Sequence, residues 1–192
     1  MRRRRRMWVS RRSSACKIQY EMEEVRKQTY TNNLQYPVHI INLASVHDVA
    51  SHLPSNQPVS KHVWQNQLTL LDALRFRANI YIIGPPAFSE DSWKKAKITA
   101  ANDSGSLDLH ISCRTTRCKL PNVDPETAVL DKNEPLSTLR SYRVIDEGSK
   151  NACLGMQVTP LSEGEVSVGD KISVLETGEH YFQGGEGKKV DG

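Results

Sequence analysis

The pattern of hydrophobic and polar positions predicts three β-strands in the middle of the chain. Residues 38–44, VHIINLA, form a β-rich run, and residues 80–83, IYII, are apolar on both faces. The second run stops at the Gly-Pro-Pro of residues 84–86 and is typical of a central strand. Residues 106–113 alternate instead, and their apolar face consists of Leu107, Leu109, Ile111 and Cys113. This alternation predicts that Cys113 points towards the core.

Two short helices are predicted from apolar spacing and from the residues at their starts. In residues 45–53, SVHDVASHL, the residues at helical spacing are Val46, Val49, Ala50 and Leu53. Ser45 with Asp48 three residues later resembles a capping box, which places the helix start at Ser45. Pro135 begins the second helix, which would carry Leu136, Leu139 and Arg143 on one face. The acidic residues of 90–93, EDSW, are consistent with another helix start.

The remaining segments carry turn signals, and together with the strands they indicate the fold class. Residues 54–67 are rich in Ser, Asn, Gln and Pro and predict a loop. Gly169-Asp170 lies between two short apolar runs. This pattern predicts a β-hairpin over residues 166–174 with a two-residue turn. Because strands outnumber helices, we predict a mainly β protein with short helices (α+β), built as a small barrel or sandwich. Nucleotide-binding folds have little support, since no GxGxxG follows a strand and no GxxxxGK[ST] is present.

The two ends of the chain differ in composition from its middle. Arg2–Arg6 together with Arg11 and Arg12 carry more positive charge than the net +4 of all 192 residues. We interpret residues 1–35 as a basic, disordered arm, with a targeting presequence as the alternative. Residues 36–178 are expected to form one domain, and residues 179–192 a flexible tail. Because the excess of positive charge comes from these seven arginines, nucleic acid is not an expected partner. No apolar run approaches the ~18 residues of a membrane span.

The cysteines provide the candidate chemistry. A chain of this length can bury a core without disulfides, so Cys16, Cys113, Cys118 and Cys153 are expected to be reduced and the protein intracellular. Cys118 lies beside Arg117, with Arg114 four residues earlier. Cationic neighbours stabilise a thiolate, which can attack an electrophile or bind a soft metal. The alternative is a cysteine that packs as a small hydrophobic residue.

Two other kinds of site have less support. Zinc would need the ligand set His110, Cys113, Cys118 and Cys153. The H-x2-C-x4-C spacing lacks paired CxxC motifs, and strand alternation turns His110 away from Cys113. A Ser-His-Asp hydrolase is also disfavoured, because the chain has no G-x-S-x-G motif.

Five short motifs in a fixed order carry a family resemblance: FRANIYIIG, FSEDSWKK, RCKLPNVDPET, EPLSTLRSYR and GEVSVGDKISVLE. Over about residues 36–176 the chain resembles the MOSC domain, the C-terminal domain of molybdenum cofactor sulfurases. The resemblance is to the branch that contains the mitochondrial amidoxime-reducing component and fungal MOSC proteins. It implies a β-barrel with short helices, and a cofactor in which the dithiolene sulfurs of a phosphate-bearing pterin hold molybdenum.

The resemblance also implies a set of site residues. Cys118 matches the cysteine that supplies a thiolate to molybdenum, so it is the expected metal ligand and catalytic residue. Thr116 and Arg117 match residues that approach the cofactor through backbone and side chain. Arg77 matches the arginine of the family's FRPN motif, whose guanidinium suits a pterin phosphate or carbonyl.

The other expected cofactor-binding residues are Asn79 and Asp124, which lie in the same motifs, although Asp124 has the alternative of forming only a turn. Three departures from the family pattern stand out. An Arg-rich arm replaces the upstream domain, whose Lys/Ser and Arg also contact the cofactor. Gln157 replaces an expected tyrosine, and Ala128 replaces the glycine that closes the DPETG motif.

The implied function is reduction of N-hydroxylated or N-oxygenated substrates through a Mo(VI)/Mo(IV) cycle. Electrons would come from a b-type cytochrome with its flavin reductase, since nothing in the sequence binds a nicotinamide. One alternative is a non-catalytic carrier of cofactor or sulfur, and another is an inactive family member that lacks the upstream domain. Pyridoxal phosphate is associated only through sulfurases fused to this domain, without a motif here. The expected compartment is the cytoplasm or the mitochondrion.

Overall fold

The structure is a computed structural model that describes residues 17–19, 37–54, 71–147 and 149–181. Within these residues the strands are β1 (Lys17–Gln19), β2 (Val38–Asn42), β3 (Ile80–Ile83), β4 (Trp93–Thr99), β5 (Ser106–Thr116), β6 (Cys153–Pro160) and β7 (Lys171–Thr177). The α-helices are α1 (Leu43–Ser51) and α2 (Leu136–Tyr142), and single 3-10 turns cover Ala73–Phe76, Ser89–Ser92 and Leu120–Asn122. The predicted mainly β fold with short helices is therefore confirmed.

The strands form a barrel in the order β1-β3-β2-β6-β5-β4-β7. Strands β2 and β3 are parallel, with Ile40 opposite Ile80, and the other neighbouring pairs are antiparallel. Strand β1 pairs with both β3 and β7 and so closes the curled sheet that the other six strands form. This closure satisfies backbone groups that the edges of an open sheet would leave unpaired.

Two hydrophobic clusters pack on opposite faces of the sheet. The barrel interior contains Ile40, Ile80, Ile82, Trp93, Ala96, Ile98, Leu107, Leu109, Ile111, Met156, Val158 and Ile172. The outer cluster lies beneath the helices and contains Ile41, Val46, Val49, Ala50, Leu53, Leu71, Phe76, Leu139, Ala152 and Leu154. Strand β2 contributes Ile40 to one cluster and Ile41 to the other, because successive side chains of a strand point in opposite directions.

The first predicted helix is present, but it starts earlier than the capping pattern indicates. Asn42 is its N-cap, and the Asn42 side chain accepts a hydrogen bond from the Ala44 N–H at 3.0 Å. Ser45 is buried inside the helix, where its hydroxyl donates to the Glu90 carboxylate at 2.6 Å. Ser45 thus joins α1 to the turn before β4 instead of capping the helix.

A bulge in β5 overturns the predicted orientation of Cys113. Ile111 pairs with Val158, but Cys113 pairs with Gln157, so Ser112 is an extra residue in the ladder. The extra residue moves Cys113 off the face that lines the barrel core. Leu107, Leu109 and Ile111 are buried as predicted, whereas Cys113 is only half-buried.

The predicted hairpin over residues 166–174 is wrong. Only its second half is a strand, β7, which pairs with β4 and β1. The turn runs from Ser167 to Asp170, and Gly169 takes a φ of 99° at its third position. The buried Asp170 carboxylate accepts hydrogen bonds from Ser167 N at 2.7 Å and Ala101 N at 3.1 Å, so this turn is held by a side chain and not by a paired strand.

The predicted ends of the chain are only partly described. Strand β1 lies inside the predicted arm, and residues 179–181 lie inside the predicted tail. The rest of the arm, most of the predicted loop at 54–67 and the end of the tail lie outside the described residues. In the part of the chain that is described, every helix is too short or too polar to cross a membrane.

Candidate functional site

Arg117, at the end of β5, joins three segments of backbone. Its Nη1 donates to the Phe76 carbonyl at 3.0 Å, and its Nε donates to the Leu154 carbonyl at 2.9 Å. Its own backbone N–H donates to the Ala152 carbonyl at 2.8 Å. Arg117 is 7% exposed, and its guanidinium carbon lies over the Phe76 ring, 5.3 Å from the ring centroid. The residues that follow Phe76 and those that follow Arg117 are therefore held side by side.

His39 of β2 completes this arrangement. Arg117 Nη2 lies 2.7 Å from His39 Nε2, and because a guanidinium only donates, His39 Nε2 is the acceptor. Burial and the Arg117 charge lower the pKa of His39 to about 3. Burial also lowers the pKa of Arg117, to about 10. At neutral pH the pair consists of a charged arginine and a neutral histidine protonated on Nδ1.

Gly155 allows β6 to approach this pair. Its φ is +76°, and a Cβ there would lie 2.6 Å from His39 Nε2 and 2.6 Å from the Ile40 carbonyl. No residue with a side chain fits at that distance. Neither Gly155 nor His39 was singled out from the sequence, because each acquires its role only when β2, β5 and β6 are paired.

Cys118 is the exposed thiol among the described cysteines. The Leu120 N–H donates to its Sγ at 3.5 Å, which orients the sulfur at the start of the 3-10 turn. Cys153 is buried, and burial followed by the Asp146 charge raises its pKa to about 12. Burial and Asp146 also raise the pKa of the half-buried Cys113. Of these three thiols, Cys118 is the one accessible to a ligand.

Arg77 is an exposed arginine next to Phe76. The residue is exposed and has a left-handed backbone, with φ 51° and ψ 42°, where the 3-10 turn ends. Its guanidinium makes no hydrogen bond or ion pair with any described residue. A left-handed conformation costs a residue other than glycine about 1 kcal/mol or more, and such strain is common at binding sites. The Arg117 contacts hold this turn beside the Cys118 loop.

Asn79 and Thr116 have mainly structural contacts. Asn79 Oδ1 accepts from His39 N at 2.8 Å, and Asn79 N donates to the His39 carbonyl at 2.9 Å. Thr116 is half-buried and pairs with Cys153 at the end of β5. The hydroxyl of its neighbour Thr115 is buried without a hydrogen-bond partner in the described part of the chain.

Both oxygens of the Asp124 carboxylate accept hydrogen bonds, from its own turn and from Arg75. One oxygen accepts from the N–H groups of Glu126 and Thr127, each at 2.9 Å, and the other accepts from Arg75 at 2.6 Å. The Thr127 hydrogen bond is the largest of several effects that lower the pKa of Asp124. These contacts favour the turn-forming alternative. Ala128 closes the turn with a φ of 59°, the left-handed region that glycine adopts more readily.

Known proteins are similar in sequence to the part of the chain that contains these residues. A family model for the MOSC domain matches residues 27–173. Mitochondrial amidoxime reducing component 2 of Rattus norvegicus is 32% identical over 141 residues, 71% of this chain and 36% of that protein. Mitochondrial amidoxime-reducing component 1 of Mus musculus is 36% identical over 108 residues, 54% of this chain and 30% of that protein.

A molybdenum cofactor sulfurase from Oryza sativa subsp. japonica is also similar. It is 36% identical over 105 residues, which cover 54% of this chain and 11% of that protein. The chain thus spans about a third of the length of the two amidoxime reducing components, and a smaller part of the sulfurase.

Proposed function

The chain belongs to the MOSC domain family, and on this premise we propose that it binds a molybdenum cofactor and reduces N-hydroxylated or N-oxygenated compounds. The family predicted from the sequence motifs is confirmed, whereas the activity is a proposal because the chain covers about a third of the amidoxime reducing components. Similarity to those proteins supports a reductase.

The chemistry of the available donor atoms fits this cofactor. Among the described residues, no three His, Cys, Asp or Glu side chains form a group that could hold a metal ion. A metal whose cofactor already supplies sulfur ligands needs few ligands from the protein. The exposed Cys118 offers one soft thiolate. The exposed Arg77 offers a planar guanidinium donor for a phosphate or carbonyl group.

Each residue then has a distinct role. Cys118 would ligate molybdenum, and Arg77 would hold the pterin. Thr116 and Arg117 would approach the cofactor through their backbones, because the Arg117 guanidinium is already bonded to Phe76, Leu154 and His39. When bound, the cofactor supplies two-electron redox chemistry. The protein orients it through the Cys118 loop and the Arg77 turn, with electrons delivered by a b-type cytochrome and its flavin reductase.

The observation that carries the proposal is the exposed Cys118 thiol, on a loop that the buried Arg117 side chain ties to the turn that carries Arg77. The test is to produce the full chain in a host that makes the cofactor, and to measure bound molybdenum by mass spectrometry and pterin by fluorescence. Wild type should retain both. Cys118→Ala should lose molybdenum, while Cys113→Ala, the matched control, should keep it. Absence of molybdenum in wild type purified under reducing conditions, or equal retention by Cys118→Ala, would refute the proposed site.

A carrier of cofactor or sulfur is the second candidate function, and similarity to the rice sulfurase favours it. Reduction of benzamidoxime with an artificial electron donor separates the two functions. Molybdenum-loaded protein that turns over benzamidoxime is an enzyme. Loaded protein that does not turn it over, but passes cofactor to an acceptor apoenzyme, is a carrier.

A further inference from the structure

A cleft of about 240 Å³ lies next to the Cys118 loop. It is formed by the 3-10 turn that follows Cys118, the loop before α2, and α2 itself. Its polar lining consists of Lys119, Asn122, Lys132, Asn133, Ser137 and Arg140. We call this feature the basic cleft. It is not part of the donor set assigned to the cofactor above.

The cations of the basic cleft have no acidic partners among the residues that the structure describes. Lys119, Lys132 and Arg140 are exposed, and none forms an ion pair with a carboxylate in the described ranges. The carboxylates on the adjoining loop have other partners. Asp131 Oδ1 accepts from two backbone N–H groups at 2.8 Å, and the buried Glu134 accepts from Thr138 N at 3.1 Å. Three positive charges around one concave surface, with no carboxylate partner in the described part of the chain, concentrate a positive potential there.

The wall of the basic cleft is held rigidly by Asn122. This side chain is 1% exposed, and its Oδ1 accepts from Leu136 N at 3.1 Å while its Nδ2 donates to the Asp131 carbonyl at 3.2 Å. The Asp131 N–H returns a hydrogen bond to the Asn122 carbonyl at 3.0 Å. The backbone that carries the three cations is therefore fixed before any ligand arrives, which lowers the entropic cost of binding.

We propose that the basic cleft binds a phosphate monoester group. Arg140 can donate two parallel hydrogen bonds to a phosphate, and Lys119 and Lys132 contribute point charges. The Ser137 hydroxyl and the Asn133 amide add neutral donors. The volume is below the roughly 300–1,000 Å³ of most small-molecule sites, so the cleft holds the phosphate group while the rest of the ligand extends outside it. Lys119 directly follows Cys118 in the sequence, so the cleft and the thiol share one loop.

Amide chemical shifts of the cofactor-free full chain test this inference without any dependence on molybdenum. Inorganic phosphate and methyl phosphate, added at constant ionic strength, should cause saturable shifts at Asn133 and Ser137, and acetate should not. The double substitution Lys132→Gln with Arg140→Gln should weaken phosphate binding by on the order of tenfold or more. Lys150→Gln removes the same charge from an exposed lysine outside the cleft lining and should leave binding unchanged.

Four outcomes would overturn the inference: no saturable shift, equal binding of acetate, equal weakening by Lys150→Gln, or tighter binding of a single-stranded oligonucleotide than of either phosphate. The last result would indicate a site for phosphodiesters. Because the measurement uses protein without cofactor, its failure leaves the proposed reductase function intact, and loss of that function leaves the basic cleft intact.

Discussion

Arg117 shows how one buried side chain can position a site without contacting a ligand. Its planar guanidinium bonds to the Phe76 and Leu154 carbonyls and to His39 in three different directions. Lysine has a single nitrogen and cannot reproduce this fork. The family resemblance implies that the Arg117 side chain contacts the cofactor, whereas its geometry favours a role in positioning the turn that carries Arg77.

Replacing Arg117 with lysine should therefore destabilise the fold. Arg117→Lys leaves at least one buried carbonyl without its donor, at a cost of about 1–3 kcal/mol in the free energy of unfolding. Arg77→Lys is the matched control, since Arg77 is exposed and should change stability by no more than about 0.5 kcal/mol. Urea denaturation measures both. Equal stability of the two variants would mean that the Arg117 contacts contribute nothing to folding.

Gly155→Ala should be destabilising for a steric reason. The added Cβ lies 2.6 Å from both His39 Nε2 and the Ile40 carbonyl, and the carbonyl belongs to the backbone of β2, which has little room to move. We expect a loss of about 1–3 kcal/mol, measured by thermal denaturation. Gly105→Ala introduces the same group where no atom lies within 4 Å, so it should be tolerated. A Gly155→Ala protein as stable as Gly105→Ala would contradict the close packing of β2 and β6.

His39 should make stability depend on pH. Its pKa is about 3 in the folded protein, against 6.5 ordinarily, so between these values the unfolded chain binds more protons. Stability conferred by neutral His39 is fully present above pH 6.5 and falls by up to about 1.4 kcal/mol per pH unit as the pH drops towards 3. His39→Gln retains an acceptor for Arg117 and cannot titrate, so its stability should fall less steeply with acid. The exposed His47→Gln, measured by urea denaturation over the same range, should follow wild type.

Among the elements of secondary structure, those with a strong local pattern were the predictable ones. Strand β3 is apolar on both faces and α1 has helical spacing, and both are present. Strand β4 was missed because three lysines interrupt it, although Trp93, Ala96 and Ile98 are buried. The bulge at Ser112 leaves no local signal, because it arises from pairing between β5 and β6.

The site was predictable to a similar extent. The motifs drew attention to Cys118 and Arg77, and both lie exposed on loops that Arg117 holds together. His39 and Gly155 were missed, since their contacts join residues far apart in the sequence. Asp124 was assigned to the cofactor by resemblance, but its oxygens are occupied by Arg75 and by backbone N–H groups.

The turn before β7 provides a prediction for an element. The buried Asp170 carboxylate accepts two backbone hydrogen bonds, from Ser167 and Ala101, and so fixes the turn against the β4–β5 connection. Asp170→Ala should cost about 1–3 kcal/mol, because both amides lose their acceptor. Glu165→Ala, an exposed acidic residue on the same segment, should have little effect in the same thermal denaturation experiment. If the two variants have the same melting temperature, the Asp170 carboxylate does not stabilise the turn.

At the scale of the whole molecule, the segment after β7 connects parts of the barrel that are distant in sequence. The Gly178 N–H donates to the Ser92 carbonyl at 2.7 Å, and His180 Nε2 lies 2.7 Å from the Trp93 carbonyl. Arg114, which forms an ion pair with Asp146, also donates to the His180 carbonyl at 2.9 Å. Residues 178–181 therefore join the start of β4 to the end of β5.

A pair of truncated chains tests this connection. One chain ends at Tyr181 and the other at Thr177, so both lack residues 182–192 and only the second loses the contacts of the buried His180. The shorter chain removes the His180 ring from the Trp93 carbonyl and the His180 carbonyl from Arg114, which keeps its ion pair with Asp146. Loss of a hydrogen-bond partner costs about 1–3 kcal/mol at a buried group. We expect the chain ending at Thr177 to unfold at a clearly lower urea concentration. Equal urea midpoints for the two chains would show that residues 178–181 do not stabilise the barrel.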